Sequence, residues 1–316
     1  MNGTQPSSCS SNTTAGTVGT TFAYCLSFLV SLAGNTVIGI IVHKTKTMRK
    51  PINFLIVNMA MSDLLLPILL IPREIQKLYT GSWLIGGPFG NTLRKLVYFL
   101  SDVPLAVSIQ SLVLIAVDRF GAVVYPLRSP LISSKLCPFF ILAIWIVAMS
   151  FFSPHLFAFK LVEYPGWLVC RLRWYVVFGE SSSISNYIVA YMSLVIFIPL
   201  VLIAILYIII YLKLKSHKIP GENLANARQQ HPQRERNLLK LTIAIVLGFA
   251  VCSIPYVTFV LLRFFGSHIM TRSCGFHFFS IVAIFMVRAN CAINPCICFN
   301  FSRNYRKELK TFLRCK

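Results

Sequence analysis

Apolar residues recur along this chain in seven long runs, each followed by a short polar segment. A helix of about 20 residues at about 1.5 Å per residue crosses the hydrocarbon core of a bilayer. The pattern therefore predicts an all-α membrane protein with seven transmembrane helices. The predicted spans are Phe22–Val42, Ile52–Ile71, Leu93–Val124, Leu136–Ala158, Tyr187–Leu212, Leu238–Leu262 and Phe276–Phe299.

Composition supports a membrane protein and excludes a soluble or disordered one. Of the 316 residues, 56% are hydrophobic and only 12% are charged, which is too few charges to cover a soluble surface of this size. The formal net charge of +21 comes from 30 Lys and Arg against 9 Asp and Glu. The sequence has no zinc-finger spacing or RNA-binding aromatic motif, so we expect no nucleic-acid partner. Basic loops on the cytoplasmic face explain the charge instead.

The basic residues also set the orientation. Twenty of the 30 Lys and Arg lie in the loops and tail of one face. By the positive-inside rule that face is cytoplasmic, which puts the N-terminus outside. Residues 1–21 then form an extracellular tail, in which Asn2 and Asn12 are candidate glycosylation sites.

The bundle is predicted to occupy residues 22–300, and residues 301–316 form a cytoplasmic helix and tail. Ser302–Phe312 has the pattern of a short amphipathic eighth helix on the inner leaflet. Cys315 behind it is a candidate palmitoylation site.

Ionisable and amide side chains inside the spans are costly in a bilayer, so each needs a structural or a functional reason. They include Asp63, Asp118 beside Arg119, and Arg288 ahead of Asn290 and Asn294. One interpretation is that they only join helices to each other. For Asn35, in the first span, that interpretation and a functional one stay equally open.

One motif falls in each predicted helix, in chain order. The motifs are Gly34-Asn35-Thr36-Val37-Ile38; Asn58 with Asp63; Asp118-Arg119-Phe120; Trp145; Pro199 with Tyr207; Phe249 with Cys252-Ser253-Ile254-Pro255; and Asn294-Pro295. With seven spans and an external N-terminus, this series resembles the rhodopsin-family (class A) G-protein-coupled receptors from Phe22 to about Phe312. The segment Ser108–Arg119 further resembles the peptide-receptor branch, notably neuropeptide Y-like receptors.

The resemblance implies an allosteric sodium pocket, in which an ion held by Asp63 stabilises the resting state; it implies no other cofactor. The residues that match this pocket are Asp63, Ser108, Asn290 and Asn294. A second implied group relays ligand contact to the sixth helix. It consists of Ile109, Pro199 and Phe249, with Pro255 and Pro295 as the bends that allow movement.

The resemblance also implies a G-protein site at the cytoplasmic face. Arg119 matches the arginine that is tethered at rest, here by Asp118 and by Glu235 at the base of the sixth helix. For Glu235, a solvated position beside its basic neighbours is an equally open interpretation. An outward swing of the sixth helix would open a cleft lined by Arg119, Tyr207 and Leu127.

Four positions depart from the family pattern. Arg94 stands where the third helix normally has a cysteine bridged to the second external loop, so Cys170 loses its usual partner. Cys170 is then either free or bridged to Cys274 or Cys9; the alternative is a Cys9–Cys274 bridge with Cys170 unused. Ser253 and Cys298 replace a tryptophan and a tyrosine, which either alters the activation relay or is a neutral variation.

Arg288 is the fourth departure and bears on the ligand. It occupies the position of the retinal-binding lysine of opsins, and a guanidinium does not form that Schiff base, so a photoreceptor is excluded. Ser101 stands where amine receptors have an aspartate, with Asp102 about 100° further round the helix. Arg288 could anchor an acidic ligand group or form an internal pair with Asp102.

The sequence therefore favours a plasma-membrane receptor for an extracellular ligand, most simply a neuropeptide, that promotes nucleotide exchange on a heterotrimeric G protein. Such a receptor is not an enzyme. Three alternatives stay open: a receptor for a small amine or carboxylic acid, a seven-span transporter or channel, and a receptor-shaped protein that has lost coupling.

Overall fold

The computed structural model describes residues 14–80, 83, 85–125, 131–164, 167–180, 182–216, 227–267, 271 and 273–314. Within that part of the chain, seven helices are long and apolar enough to cross a membrane, which confirms the predicted number. We label the helices α1 (Thr14–Lys44), α2 (Pro51–Thr80), α3 (Gly87–Val124), α4 (Cys137–Ala158), α5 (Ile184–Lys215), α6 (Ala227–Phe265), α7 (Cys274–Phe301) and α8 (Arg303–Arg314).

Helix α1 begins at Thr14, earlier than the predicted span, which begins at Phe22. The reason is that threonine hydroxyls in this stretch donate hydrogen bonds to backbone carbonyls of the same helix. Thr20 Oγ1 donates to the Gly16 carbonyl at 2.9 Å, and Thr21 Oγ1 donates to Thr17 at 2.8 Å. A polar stretch can therefore continue a helix that the apolar pattern ends.

Four of the described spans are interrupted next to prolines, and in α5 the interruption is a π-helical turn at Met192–Phe197, ahead of Pro199. α2 contains a π-helical turn at Leu66–Leu70, and α3 consists of Gly87–Leu100 and Val103–Val124 on either side of a turn. α4 has a similar turn at Ser153 and Pro154. Proline lacks the N–H for the helical bond and disfavours helical geometry in the residue before it. In α3 the interruption leaves Ser101 and Asp102 at a bend rather than within a straight helix.

A two-stranded hairpin, which the sequence did not predict, connects α4 to α5. Strand β1 (Phe159–Tyr164) pairs antiparallel with β2 (Trp167–Leu172), with Phe159 opposite Leu172 at its base. We call the end of the bundle that carries this hairpin the hairpin face. The opposite end, where α7 passes into α8, is the basic face.

Helix α1 packs closely against α7. A Cβ atom added to Gly34 would lie 2.6 Å from Pro295 Cβ, so only glycine allows this approach. The neighbouring Asn35 donates from Nδ2 to the Cys291 carbonyl at 2.9 Å. Of the two interpretations of Asn35, the structure shows that it joins two helices.

A second polar link joins α2, α3 and α4. Trp145 Nε1 donates to Asn58 Oδ1 at 2.8 Å, and Asn58 Nδ2 donates to Ser111 Oγ at 3.0 Å. The outward surface of the bundle carries large exposed apolar side chains, as a lipid-facing surface requires.

Helix α8 is present as predicted and follows α7 after a single residue, Ser302. It is fixed to the segment between α1 and α2 and to the first turn of α2. Tyr305 is buried and donates from its hydroxyl to Asn53 Oδ1 at 3.3 Å, while Glu308 accepts from Thr45 Oγ1 at 3.1 Å. Burial raises the pKa of Tyr305 well above its ordinary value, so its hydroxyl stays protonated and remains a donor.

Candidate functional site

The Asp63 cluster lies in the middle of the bundle, between α2, α3 and α7. Asp63 is almost completely buried and accepts from Asn294 Nδ2 at 2.7 Å and from Ser108 Oγ at 3.4 Å. The structure therefore brings three of the four predicted sodium-pocket residues into direct contact. The fourth, Asn290, lines the same narrow cavity as Asp63.

The same cluster contains oxygens that suit a small cation. Among the described groups, Asn290 Oδ1 and Asn294 Oδ1 are buried and have no hydrogen-bond partner. Buried acceptors without a donor are costly, whereas carboxylate and amide oxygens are the ligands that hard cations prefer. The donor set at Asp63 thus fits a monovalent or small divalent ion.

The Asp102 cluster lies one level nearer the hairpin face, at the bend of α3. Arg288 of α7 donates from Nη1 to the Ser101 carbonyl at 2.8 Å, and Nη1 is 3.8 Å from Asp102 Oδ1. On its other side, Asp102 Oδ2 is 4.0 Å from His155 Nδ1 of α4. This geometry supports the interpretation in which Arg288 forms an internal pair with Asp102.

The aromatic residues of α4 and α5 complete this cluster. Tyr187 donates from its hydroxyl to the Phe151 carbonyl at 2.9 Å and lies 3.4 Å from His155 Nε2. Tyr191 is buried against Phe152, and within the described part its hydroxyl has no hydrogen-bond partner. The cavity lined by Asp63 also reaches Ser101, Asp102 and Arg288, so it connects the two clusters.

Sequence reasoning missed His155 and Tyr187. Neither belongs to a motif, and the only available signal for His155 was an ionisable residue near the end of an apolar run, after Pro154. Its proximity to Asp102 depends on the turn in α4 and on the bend in α3, which a linear pattern does not reveal.

The Arg119 pair lies at the basic-face end of α3. Arg119 Nη2 donates to Asp118 Oδ2 at 2.5 Å, and both side chains are largely buried. Tyr207 of α5 is also buried and lies within electrostatic reach of Arg119. Leu127 and the Glu235 side chain, the other predicted members of this site, lie outside the described part of the chain.

The predicted relay residues lie in the core between these sites. Ile109 and Phe249 are fully buried in the main core, and Pro199 is buried on α5. Pro255 and Pro295 both lie within continuous helical segments. Ser253 and Cys298, which replace larger rings, are buried as well, and Cys298 lies close to Tyr305 of α8.

The state of the described cysteines excludes some of the predicted disulfide bridges. Cys170 is a free thiol, so its bridge to Cys274 or to Cys9 is wrong. Cys274 is disulfide-bonded to a partner outside the described residues. Cys9, Cys315, Asn2 and Asn12 also lie outside them.

Comparison with known proteins agrees with this geometry. A family model described as "7 transmembrane receptor (rhodopsin family)" matches residues 34–297. A QRFP-like peptide receptor of Branchiostoma floridae is 30% identical over 303 residues, which cover 93% of this chain and 77% of that receptor. The neuropeptide Y receptor type 2 of Macaca mulatta is 31% identical over 304 residues, 93% of this chain and 76% of its own. The human type 2 receptor is 30% identical over 304 residues, with the same coverage.

Proposed function

This chain belongs to the rhodopsin family of seven-transmembrane receptors, and we propose that it is a receptor for an extracellular neuropeptide that activates a heterotrimeric G protein. Family membership and seven spans make it a multi-pass protein of the plasma membrane. The single observation that carries the coupling function is the buried Asp118–Arg119 pair beside Tyr207 at the basic face.

The hairpin face is outside the cell and the basic face is inside. The excess of Lys and Arg in the loops of the basic face supports this orientation by the positive-inside rule. The N-terminal segment with Asn2 and Asn12 is then extracellular, where glycosylation occurs.

In the resting receptor, Asp118 holds the guanidinium of Arg119. Releasing it exposes a group with several donors, which can bind backbone carbonyls of a partner helix in the cleft that opens beside Tyr207. The opening movement belongs to α6, because Pro255 removes one of its backbone hydrogen bonds and so lowers the cost of bending there.

The ligand site is the Asp102 cluster, with Ser101, Asp102 and Arg288 at its base. The names of the related receptors support a peptide ligand. The local chemistry adds that Arg288 already contacts Asp102, so an acidic ligand group must compete with that carboxylate. A peptide gains enough contact elsewhere on the hairpin face to offset such competition, which a small acid or amine does not.

The Asp63 cluster would hold a sodium ion in the resting state. Asp63 would supply the negative charge, and Ser108, Asn290 and Asn294 would supply neutral oxygens. The unpartnered amide oxygens of the two asparagines support this assignment. A bound cation stabilises the conformation in which these three helices stay together.

The test is nucleotide exchange on G proteins in membranes that contain this receptor, with and without a pool of amidated and free-acid peptides. Arg119→Ala at matched surface expression should reduce exchange to the background of receptor-free membranes. Arg263→Ala, which removes an exposed arginine of α6 near the hairpin face, is the matched control for exchange without added peptide and should then exchange like the unmodified chain. Full exchange by Arg119→Ala would reject the proposed role of the Arg119 pair.

A further inference from the structure

Arg94 is a buried charge at the hairpin-face end of α3. Its side chain is only 1% exposed, and it is the largest fully buried side chain of the described residues. Burying a guanidinium costs several kcal/mol unless its donors are satisfied. The position of Arg94 therefore depends on what accepts its hydrogen bonds.

The acceptors come mainly from the hairpin. Arg94 Nη1 donates to the Phe159 carbonyl at 2.5 Å and contacts Cys170 Sγ at 3.5 Å. Nη2 donates to Asn91 Oδ1, one turn earlier on α3. Within the described part of the chain, none of these acceptors is a carboxylate, so the guanidinium is held by neutral groups alone.

These contacts connect both strands of the hairpin to one helix. Phe159 is the first residue of β1, and Cys170 lies on β2 opposite Leu161. The base of the hairpin is closed by Arg173 N, which donates to the Ala158 carbonyl at 2.8 Å. A single side chain of α3 thus contacts β1 and β2 close to the point where the hairpin leaves α4.

An aromatic stack supports the same attachment. Tyr98, one turn after Arg94, stacks on Phe159 with ring centroids 4.2 Å apart. Arg73 of α2 covers the other side of Tyr98 at 4.2 Å and donates to its hydroxyl at 2.6 Å. The Phe159 ring also contacts His155, which faces Asp102, so the hairpin base adjoins the Asp102 cluster.

We propose that Arg94 is a positioning residue that fixes the hairpin to α3 through hydrogen bonds, in the place of a covalent bridge to Cys170. The hairpin and the neighbouring His155 keep their positions while the Cys170 thiol stays free. This proposal concerns the attachment of the hairpin and does not depend on the ligand or on G-protein coupling.

The test is hydrogen–deuterium exchange on the purified full chain in lipid nanodiscs. In Arg94→Ala, the amides of residues 159–172 should exchange faster by about tenfold, because bonds from a charged donor to the hairpin are lost. Amides of α1 and α7, far from the hairpin base, should keep their rates. Arg263→Ala serves as the control and should leave the hairpin unchanged.

Conservative variants separate a specific attachment from general packing. Arg94→Lys keeps one charged donor and should restore part of the protection, whereas Arg94→Met, of similar volume, should not. Cys170→Ser retains an acceptor and should behave like the unmodified chain. Labelling of Cys170 by a maleimide should accelerate in parallel with hydrogen exchange.

Three results would overturn the proposal: unchanged hairpin protection in Arg94→Ala, acceleration spread equally over all spans, or a disulfide at Cys170 found by mass mapping. If Arg94→Ala does not fold, Asn91→Ala takes its place. It removes one acceptor of the same guanidinium and should accelerate exchange of the hairpin on the order of threefold. Protection equal to that of the unmodified chain in Asn91→Ala and in Arg94→Met would also reject the role of Arg94.

Discussion

Helix α3 buries an arginine near each of its ends, and the two are held in different ways. Arg94 at the hairpin face donates to neutral acceptors, one of them a backbone carbonyl of another element. Arg119 at the basic face donates to Asp118, the preceding residue of the same helix. The first arrangement joins two elements, whereas the Asp118 bond lies within one helix.

The difference shows how one residue type serves two purposes. A guanidinium with several fixed acceptors loses all of them when it moves, so it stays in place. A guanidinium bonded to a carboxylate of its own helix can exchange that bond for another acceptor without separating two elements. We therefore expect attachment of the hairpin to depend on Arg94 and signalling to depend on Arg119.

The largest expected effect is a crossed result between these two arginines. Arg94→Ala should reduce the free energy of unfolding by about 3 kcal/mol, because it leaves a buried carbonyl and a cavity behind. Arg119→Ala should reduce it by about 2 kcal/mol, because it leaves the buried Asp118 without this partner, and should also abolish coupling. Thermal unfolding in detergent, paired with nucleotide exchange, measures both. Coupling retained by Arg119→Ala, or a greater loss of stability in Arg119→Ala than in Arg94→Ala, would contradict the comparison.

The Asp102 cluster extends the comparison to a third buried arginine, Arg288. Asp102→Asn keeps the shape of the side chain but removes its charge, so Arg288 loses its carboxylate. We expect a loss of about 2 kcal/mol of stability, since breaking a buried pair leaves the other charge uncompensated. Thermal unfolding checks this, with the exposed Glu180→Gln as the control. A stability equal to that of the control would show that Arg288 is satisfied by the Ser101 carbonyl alone.

The effect of sodium on stability tests whether the middle of α3, at Ser108, contributes to a third kind of contact, one with a bound cation. Replacing choline chloride by sodium chloride should stabilise the unmodified chain by about 1 kcal/mol at concentrations several times the dissociation constant. Asp63→Asn should remove this response while retaining an unfolding transition. The readout is the unfolding midpoint at constant ionic strength; a sodium response that survives in Asp63→Asn would place the ion elsewhere.

The smallest expected effect concerns α8, which lies away from α3. Tyr305→Phe removes only the 3.3 Å hydrogen bond to Asn53 and should cost less than about 1 kcal/mol. Because the pKa of Tyr305 is raised in the fold, its contribution is present at every pH below the ordinary tyrosine pKa of about 10. It is lost only as the pH rises through the higher folded value. Unfolding measured from pH 7 to about 9, below the ordinary tyrosine pKa, should therefore show a constant difference between the two chains.

Much of the fold could be predicted from the sequence, because each of the seven apolar runs predicts one transmembrane helix without information from the rest of the chain. The clusters were harder, since Asp63, Ser108 and Asn294 lie on three helices and meet only through packing. The resemblance to a receptor family supplied that alignment. It was the order of the motifs along the chain, rather than any local pattern, that predicted that these three residues belong to one site.

The remaining features depend on contacts without a local signature. The early start of α1 rests on threonine hydroxyls that donate to their own backbone. One acceptor of Arg94 is a backbone carbonyl, which any residue at position 159 would provide. The hairpin and the approach of His155 to Asp102 both follow from turns whose geometry becomes visible only in three dimensions.

The free thiol of Cys170 has a consequence for biosynthesis. Disulfide formation and reshuffling take seconds to hours and require an oxidant, whereas short antiparallel hairpins form within microseconds. Since Arg94 attaches the hairpin without covalent chemistry, this loop can dock as soon as α3 and α4 are in the membrane. The time at which the hairpin reaches its final position then depends on insertion of the chain into the membrane. Oxidation in the secretory pathway is needed for the disulfide of Cys274 and not for Cys170.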